Sequence, residues 1–203
     1  MKRTRKRDDL IQVGRDIVIK QGFNAAGLSD ILATAGVPKG SFYYYFESKE
    51  DFGLAIIEDF ASEYQKKLEA TLGNNQFSPL NRLNNYFEKG IAEMEASQCE
   101  NGCLIGNLAQ ELSAQSEVFR DRLNQILSNW ETHFAQCISA AYASGEIGNY
   151  IDANTTAKFI LSGWQGAMLR AKVERSTEPL KIFSQVLFQQ VFRASALAKS
   201  AAG

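Results

Sequence analysis

Three cysteines and one histidine are the side chains of this 203-residue chain with the most obvious chemistry: Cys99, Cys103, Cys137 and His133. Cys99 and Cys103 stand four apart, a spacing that on a helix could share a metal. With one imidazole and one further thiol they make a poor ligand set, so neither a metal nor another cofactor is expected. Cys137 falls within an apolar helical pattern and reads as small apolar filling; His133 reads as a satisfied helix histidine. Cys103 is different. Asn101 looks like an N-cap, which places Cys103 in a first helical turn, where unpaired amides and the helix dipole favour a thiolate. A thiolate is the form that attacks electrophiles and oxidants. Lys172 is the second reactive candidate. Trp164, Met168 and Lys172 follow i, i+4, i+8 and share one helical face, so the amine can be partly buried and biased toward its neutral form. Near Cys103 it would stabilise a thiolate or react beside it. Tyr86, Phe87, Trp130, Phe134 and Trp164 are aromatic candidates for lining a small-molecule pocket, or plain core. Two function classes stay open on these residues: a ligand- or electrophile-sensing binding protein, and an α-helical thiol-dependent enzyme or scavenger built on Cys103. No phosphate loop, nucleophile elbow or metal set is present, which favours the first.

The elements that must position such residues begin with Ser29 to Lys49, reading S-D-I-L-A-T-A-G-V-P-K-G-S-F-Y-Y-Y-F-E-S-K. Ser29 reads as an N-cap, and Ile31, Leu32 and Ala35 recur at helical spacing. Gly36 breaks the pattern with the positive φ a helix end often takes, and Pro38 suits the opening of a second helix over about Lys39 to Phe46. That is a helix-turn-helix. The second helix exposes Lys39, Ser41, Tyr43 and Tyr44 and turns Phe42, Tyr45 and Phe46 inward. Such a helix fits a major groove, with Lys39 reaching guanine acceptors or phosphate and the hydroxyls bonding phosphate or base edges.

The run L-S-D-I-L-A-T-A-G-V-P-K-G-S-F-Y-Y-Y-F-E-S-K-E-D-F resembles the DNA-binding signature of TetR-family repressors. The match is close over about residues 21–54 and extends to the whole chain in length and helical layout. It implies a homodimer that reads a palindromic operator in double-stranded DNA, with Ser29, Lys39, Gly40, Ser41, Tyr43, Tyr44 and Lys49 at the DNA. It also implies a larger domain that binds a small molecule and so changes the spacing of two reading heads. The stretch N-G-C-L-I-G-N-L-A-Q-E-L, with L-R-A-K-V-E-R-S, is similar to a subgroup of that family that answers reactive electrophiles and oxidants. In that subgroup a Cys and a Lys carry sensing, and the correspondence falls on Cys103 and Lys172.

Charge agrees with a nucleic-acid end on a larger body. The net charge of -1 hides an excess of four positive charges in residues 1–49 and of five negative charges in the rest. Met1 to Arg7 reads as a mobile basic arm near phosphate. No apolar run approaches a membrane span and no secretion signal is visible, so a cytoplasmic location with free thiols is expected. The chain reads as all-α throughout. A first helix covers about Asp8 to Gln21. Ser48 to Asp51 resembles a capping box opening a long helix to about Leu72. Further helices are expected over about 79–97, from Cys103 onward, over 117–144, from Asp152 to about Glu174, and from Pro179 to about Ala198. The division expected is a DNA-binding domain at 1–48 and an effector and dimerisation domain at 49–203. Ile160, Leu161, Trp164, Ala167 and Met168, with Phe183, Val186, Leu187, Val191 and Phe192, offer an apolar surface for a four-helix dimer face.

Overall fold

Apolar residues at helical spacing, punctuated by Gly and Ser-Pro breaks, become helices in the computed structural model, which describes residues 2–148 and 152–192. In chain order these are α1 (Lys2–Gln21), α2 (Leu28–Thr34), α3 (Phe42–Tyr45, entered through a 3-10 turn at Lys39–Ser41), α4 (Lys49–Thr71), α5 (Pro79–Ala96), α6 (Leu104–Leu112), α7 (Glu117–Ala143), α8 (Ala153–Glu174) and α9 (Glu178–Val186). α9 runs on as a π turn at Leu187–Val191. No strand occurs among the described residues. Asn149 and Tyr150 of the expected loop and the expected last-helix end at Ala198 lie outside the described residues, as do Met1 and the side chains of Lys2 and Arg3 in the basic arm.

The described chain forms two compact units. The first comprises residues 1–64 and 103–124, the second residues 65–102 and 125–203. α4 contributes Lys49–Tyr64 to the first and Gln65–Thr71 to the second. The core of the first unit holds Leu10, Val18, Ile31, Leu32, Phe42, Phe46, Phe52 and Ile56, all buried. Phe46 and Phe52 meet edge to face at 4.8 Å, and Phe42 and Phe52 at 5.7 Å. Such pairs add about 0.5–1.5 kcal/mol beyond the area they bury. α1 is anchored to α4 by Arg15, whose Nη1 donates to Asp59 at 2.9 Å and to Glu63 at 2.6 Å. Burial raises the Asp59 carboxyl above its ordinary value, with Arg15 pulling the other way.

Several boundaries differ from expectation. α1 starts at Lys2 rather than Asp8, so Arg5 to Arg7 are helical, and the Arg7 guanidinium lies 4.9 Å over the Phe46 ring. α2 is capped by Gly27, not Ser29, because the Gly27 carbonyl already accepts the amides of Asp30 and Ile31. Gly36 does take a positive φ, 62°, and closes the turn as expected. Ser48 does cap α4: its Oγ accepts the Asp51 amide at 3.0 Å. The Asp51 carboxylate returns to the Glu47 amide at 3.0 Å, one residue before the position a Glu would reach.

Candidate functional site

The 3-10 turn and α3 put the aromatic run of the sequence to two uses. Phe42 and Phe46 point into the core, Tyr43 and Tyr44 are left outside, and Tyr45, expected inward, is only half-buried. Tyr43 is 73% exposed and Tyr44 59%. Lys39 and Gly40 are exposed before them, Ser41 and Tyr45 are half-buried, and Ser29 is exposed on α2. A Cβ built on Gly40 would meet nothing within 4 Å, so the fold itself leaves that position open to an approaching backbone. Lys49 opens α4. Its Nζ donates to the Asn24 carbonyl at 3.3 Å and lies 4.9 Å over the Phe23 ring. An ammonium has three protons, so a phosphate oxygen can still be served. Two large exposed rings beside a lysine, on a helix whose other face is core, form a surface that calls for a partner.

In the second unit, four of the five predicted aromatics form one cluster. Tyr86 meets Phe87 at 5.2 Å and Phe134 at 4.9 Å, and Phe87 meets Trp164 at 4.9 Å. Trp130, one turn before Phe134 on α7, is equally buried. Phe183 and Phe188, which were expected to serve other ends or none, join the cluster, at 5.9 Å and 6.0 Å from Phe87. The π turn belongs to this packing, since it carries Phe188 to Phe87 and Phe192 to Phe188 at 5.5 Å. The Trp164 Nε1–H is buried and has no hydrogen-bond acceptor among the described residues. A buried donor left unmade costs about 1–3 kcal/mol.

Cys103 is not in the first turn behind an Asn101 cap. It is itself the N-cap of α6, with φ -91° and ψ 119°, and is only 6% exposed. Gly102, with φ 68°, turns the chain just before it, and the helix therefore begins two residues later than Asn101 would set it. Lys172 lies half-buried in the last turn of α8, in the second unit, whereas Cys103 belongs to the first. Cys99 does not share a helix with Cys103, because Gln98 and Cys99 both take positive φ and end α5. With Arg175, these are the non-glycine residues of positive φ among the described ones. They border a cleft of about 540 Å³ whose walls include Glu95, Glu100 and Thr177. His133 pairs with Gln65 Nε2 at 2.9 Å.

Of the residues expected at the apolar face of α8 and α9, most are core and Val186 is exposed. Ile160, Leu161, Trp164, Ala167, Leu187 and Phe192 are buried within the unit itself, whereas Phe159, Leu169, Val173, Ile182 and Val186 are exposed. The reason is that α8 and α9 pack on each other and on α5 through the first set.

Residues 10–56 match the family model described as bacterial regulatory proteins, tetR family, and residues 79–187 match that of the tetracyclin repressor-like C-terminal domain. The chain is 39% identical over 189 residues, 93% of each sequence, to the HTH-type transcriptional repressor DhaR of Mycobacterium sp.. A regulatory protein TetR from Rhodobacter sphaeroides superposes with a TM-score of 0.84 at 36% identity, covering 88% of this chain and 95% of that one. The reduced form of NemR from Escherichia coli superposes with a TM-score of 0.81 at 30% identity, over 90% and 95%.

Proposed function

The chain belongs to the TetR family of bacterial transcriptional regulators, and from that premise we propose that it is a homodimeric repressor that holds a palindromic operator and releases it on meeting a small-molecule or reactive electrophile inducer. A chain of this family regulates transcription and is not an enzyme, so the alternative of a thiol-dependent catalyst built on Cys103 falls. The observation that carries the reading is the pair Tyr43 and Tyr44, held outside by Phe42 and Phe46 held inside. Lys39, Gly40 and Ser41 lead that helix into the groove, and Ser29 and Lys49 flank it at the phosphates. The family's division of labour gives 1–48 to DNA and 49–203 to effector and dimer. DNA binding implies a cytoplasmic location, and no described helix is long and apolar enough to cross a membrane.

For the dimer, Phe159, Leu169 and Val173 on α8 and Ile182 and Val186 on α9 supply exposed apolar side chains on helices already paired. Two copies of such a pair make a four-helix interface with two-fold symmetry, which spaces two reading heads about one DNA turn, ~34–36 Å, apart. For the effector, the ring cluster of Tyr86, Phe87, Phe134 and Trp164, with Trp130 beside it, supports an aromatic subsite. The unpaired Trp164 donor suits a ligand oxygen. Cys103 and Lys172 are the sensing residues in this reading, each within its own unit. A relative solved in a named reduced form supports thiol chemistry as the trigger.

Fluorescence anisotropy on DNA from the gene's own upstream region tests the reading. Wild-type protein is expected to bind tightly and Tyr43→Ala with Tyr44→Ala to lose operator binding while keeping its fold. N-ethylmaleimide is expected to release wild-type protein and not Cys103→Ser. Unchanged affinity in the tyrosine variant sinks the groove assignment. A normal response in Cys103→Ser moves the trigger to another thiol, Cys99 or Cys137, and indifference of wild-type protein to the electrophile moves the inducer to the aromatic cluster.

A further inference from the structure

The loop between α1 and α2 is held by a carboxylate from another element. Glu111, near the end of α6, accepts two successive backbone amides: Phe23 N donates to Oε2 at 2.9 Å and Asn24 N to Oε1 at 2.7 Å. Loop amides have no helix partner and must find one elsewhere. Gly22 clears the space, because its φ is +87° and a Cβ there would lie 2.9 Å from Glu111 Oε2. Gln115, one turn on, accepts from Asn24 Nδ2 at 3.2 Å and donates to the Glu111 carbonyl at 2.7 Å. The Phe23 ring meets Phe119 edge-on at 5.3 Å. From the other side Lys49 donates to the Asn24 carbonyl at 3.3 Å. The proposed phosphate contact and Glu111 therefore grip the same two loop residues.

We propose that Glu111 is a positioning residue for operator binding: it pins the Phe23–Asn24 loop, and with it Lys49 and α2. This rests on the DNA contacts proposed above, which the tyrosine variant tests separately. A charged acceptor shared by two amides is strong and geometrically demanding. A shift of about 1 Å stretches both bonds beyond hydrogen-bonding range. Glu111 itself never touches DNA in this scheme; it acts through the loop.

The test uses Glu111→Gln, which keeps the shape but turns an NH₂ toward one of the two amides, and Glu111→Asp, which keeps the charge but is a methylene short. Glu111→Gln is expected to weaken operator binding about tenfold and to flatten the salt slope, because the Lys49 phosphate contact it steadies is loosened. Amide hydrogen exchange should quicken at Phe23 and Asn24 and stay at wild-type rates in the rest of the core. Glu111→Asp should fall between. Wild-type affinity with unchanged exchange in both variants overturns the proposal, and so does an affinity loss with an unchanged salt slope.

Discussion

The Cys137 thiol donates to the Pro79 carbonyl at 3.4 Å, and burial, with Glu146 adding and Arg82 opposing, pushes its pKa up from 9.0 to about 11. An unfolded cysteine ionises first, so the neutral buried thiol stabilises the fold fully below pH 9, and that contribution is lost as pH rises toward 11. The full swing is ~2–3 kcal/mol. Urea unfolding of wild-type protein is expected to show this alkaline loss, and Cys137→Ala, weaker at every pH, should show a flatter slope over the same window. An equal slope in both would assign the alkaline transition to other groups. The role of Cys137 as apolar filling was legible from its place in an apolar helical pattern. The burial of Cys103 was not, because one turn of backbone at Gly102 decides whether a residue starts a helix or caps it.

Helix ends carry the information at the next scale. The Ser48–Asp51 box holds the first turn of α4, where Lys49 sits. Ser48→Ala removes the acceptor for the Asp51 amide, a loss of about 1 kcal/mol, which for a chain of this size is about 2–4 °C in Tm. Thermal unfolding measures it; an unmoved midpoint would mean that Asp51 alone closes the turn. This box could be read from four letters because capping is local chemistry. The α2 cap could not. Ser29 has the right side chain, but the Gly27 carbonyl takes the first helical bonds, and a cap is defined by backbone geometry before side-chain preference. Nor could any local rule find Glu111, since its partners lie 88 and 87 residues away in the chain.

At the scale of the whole molecule the question is what covers the exposed side chains of α8 and α9. Val173 is 70% exposed and Leu169 45%. In Leu169→Glu with Val173→Glu, two carboxylates would be buried in the proposed interface, at a cost that breaks it. Light scattering is expected to report a monomer, and operator affinity to fall by about 10²-fold or more as two-headed binding is lost. A variant that stays dimeric would move the interface elsewhere. Of the residues expected at a dimer face on α8 and α9, Val186 is exposed, whereas Ile160, Leu161, Trp164, Ala167, Leu187 and Phe192 are core. Both faces of α8 are apolar in sequence, and composition alone does not say which one α9 and α5 use first.

The sequence by itself determined the all-helical class, the helix-turn-helix with its inward Phe42 and Phe46 and outward Tyr43 and Tyr44, and the family. Each of these follows from short-range periodicity, turn residues and a local signature. Tertiary structure decided which apolar face of α8 is core, that Phe183 and Phe188 join the aromatic cluster, that Cys103 is a buried cap, and that Glu111 holds the loop beside Lys49. Those outcomes depend on which surfaces meet across long sequence separations, and pairing at that range is set by packing and by the need to satisfy every buried amide, not by any spacing a single stretch displays.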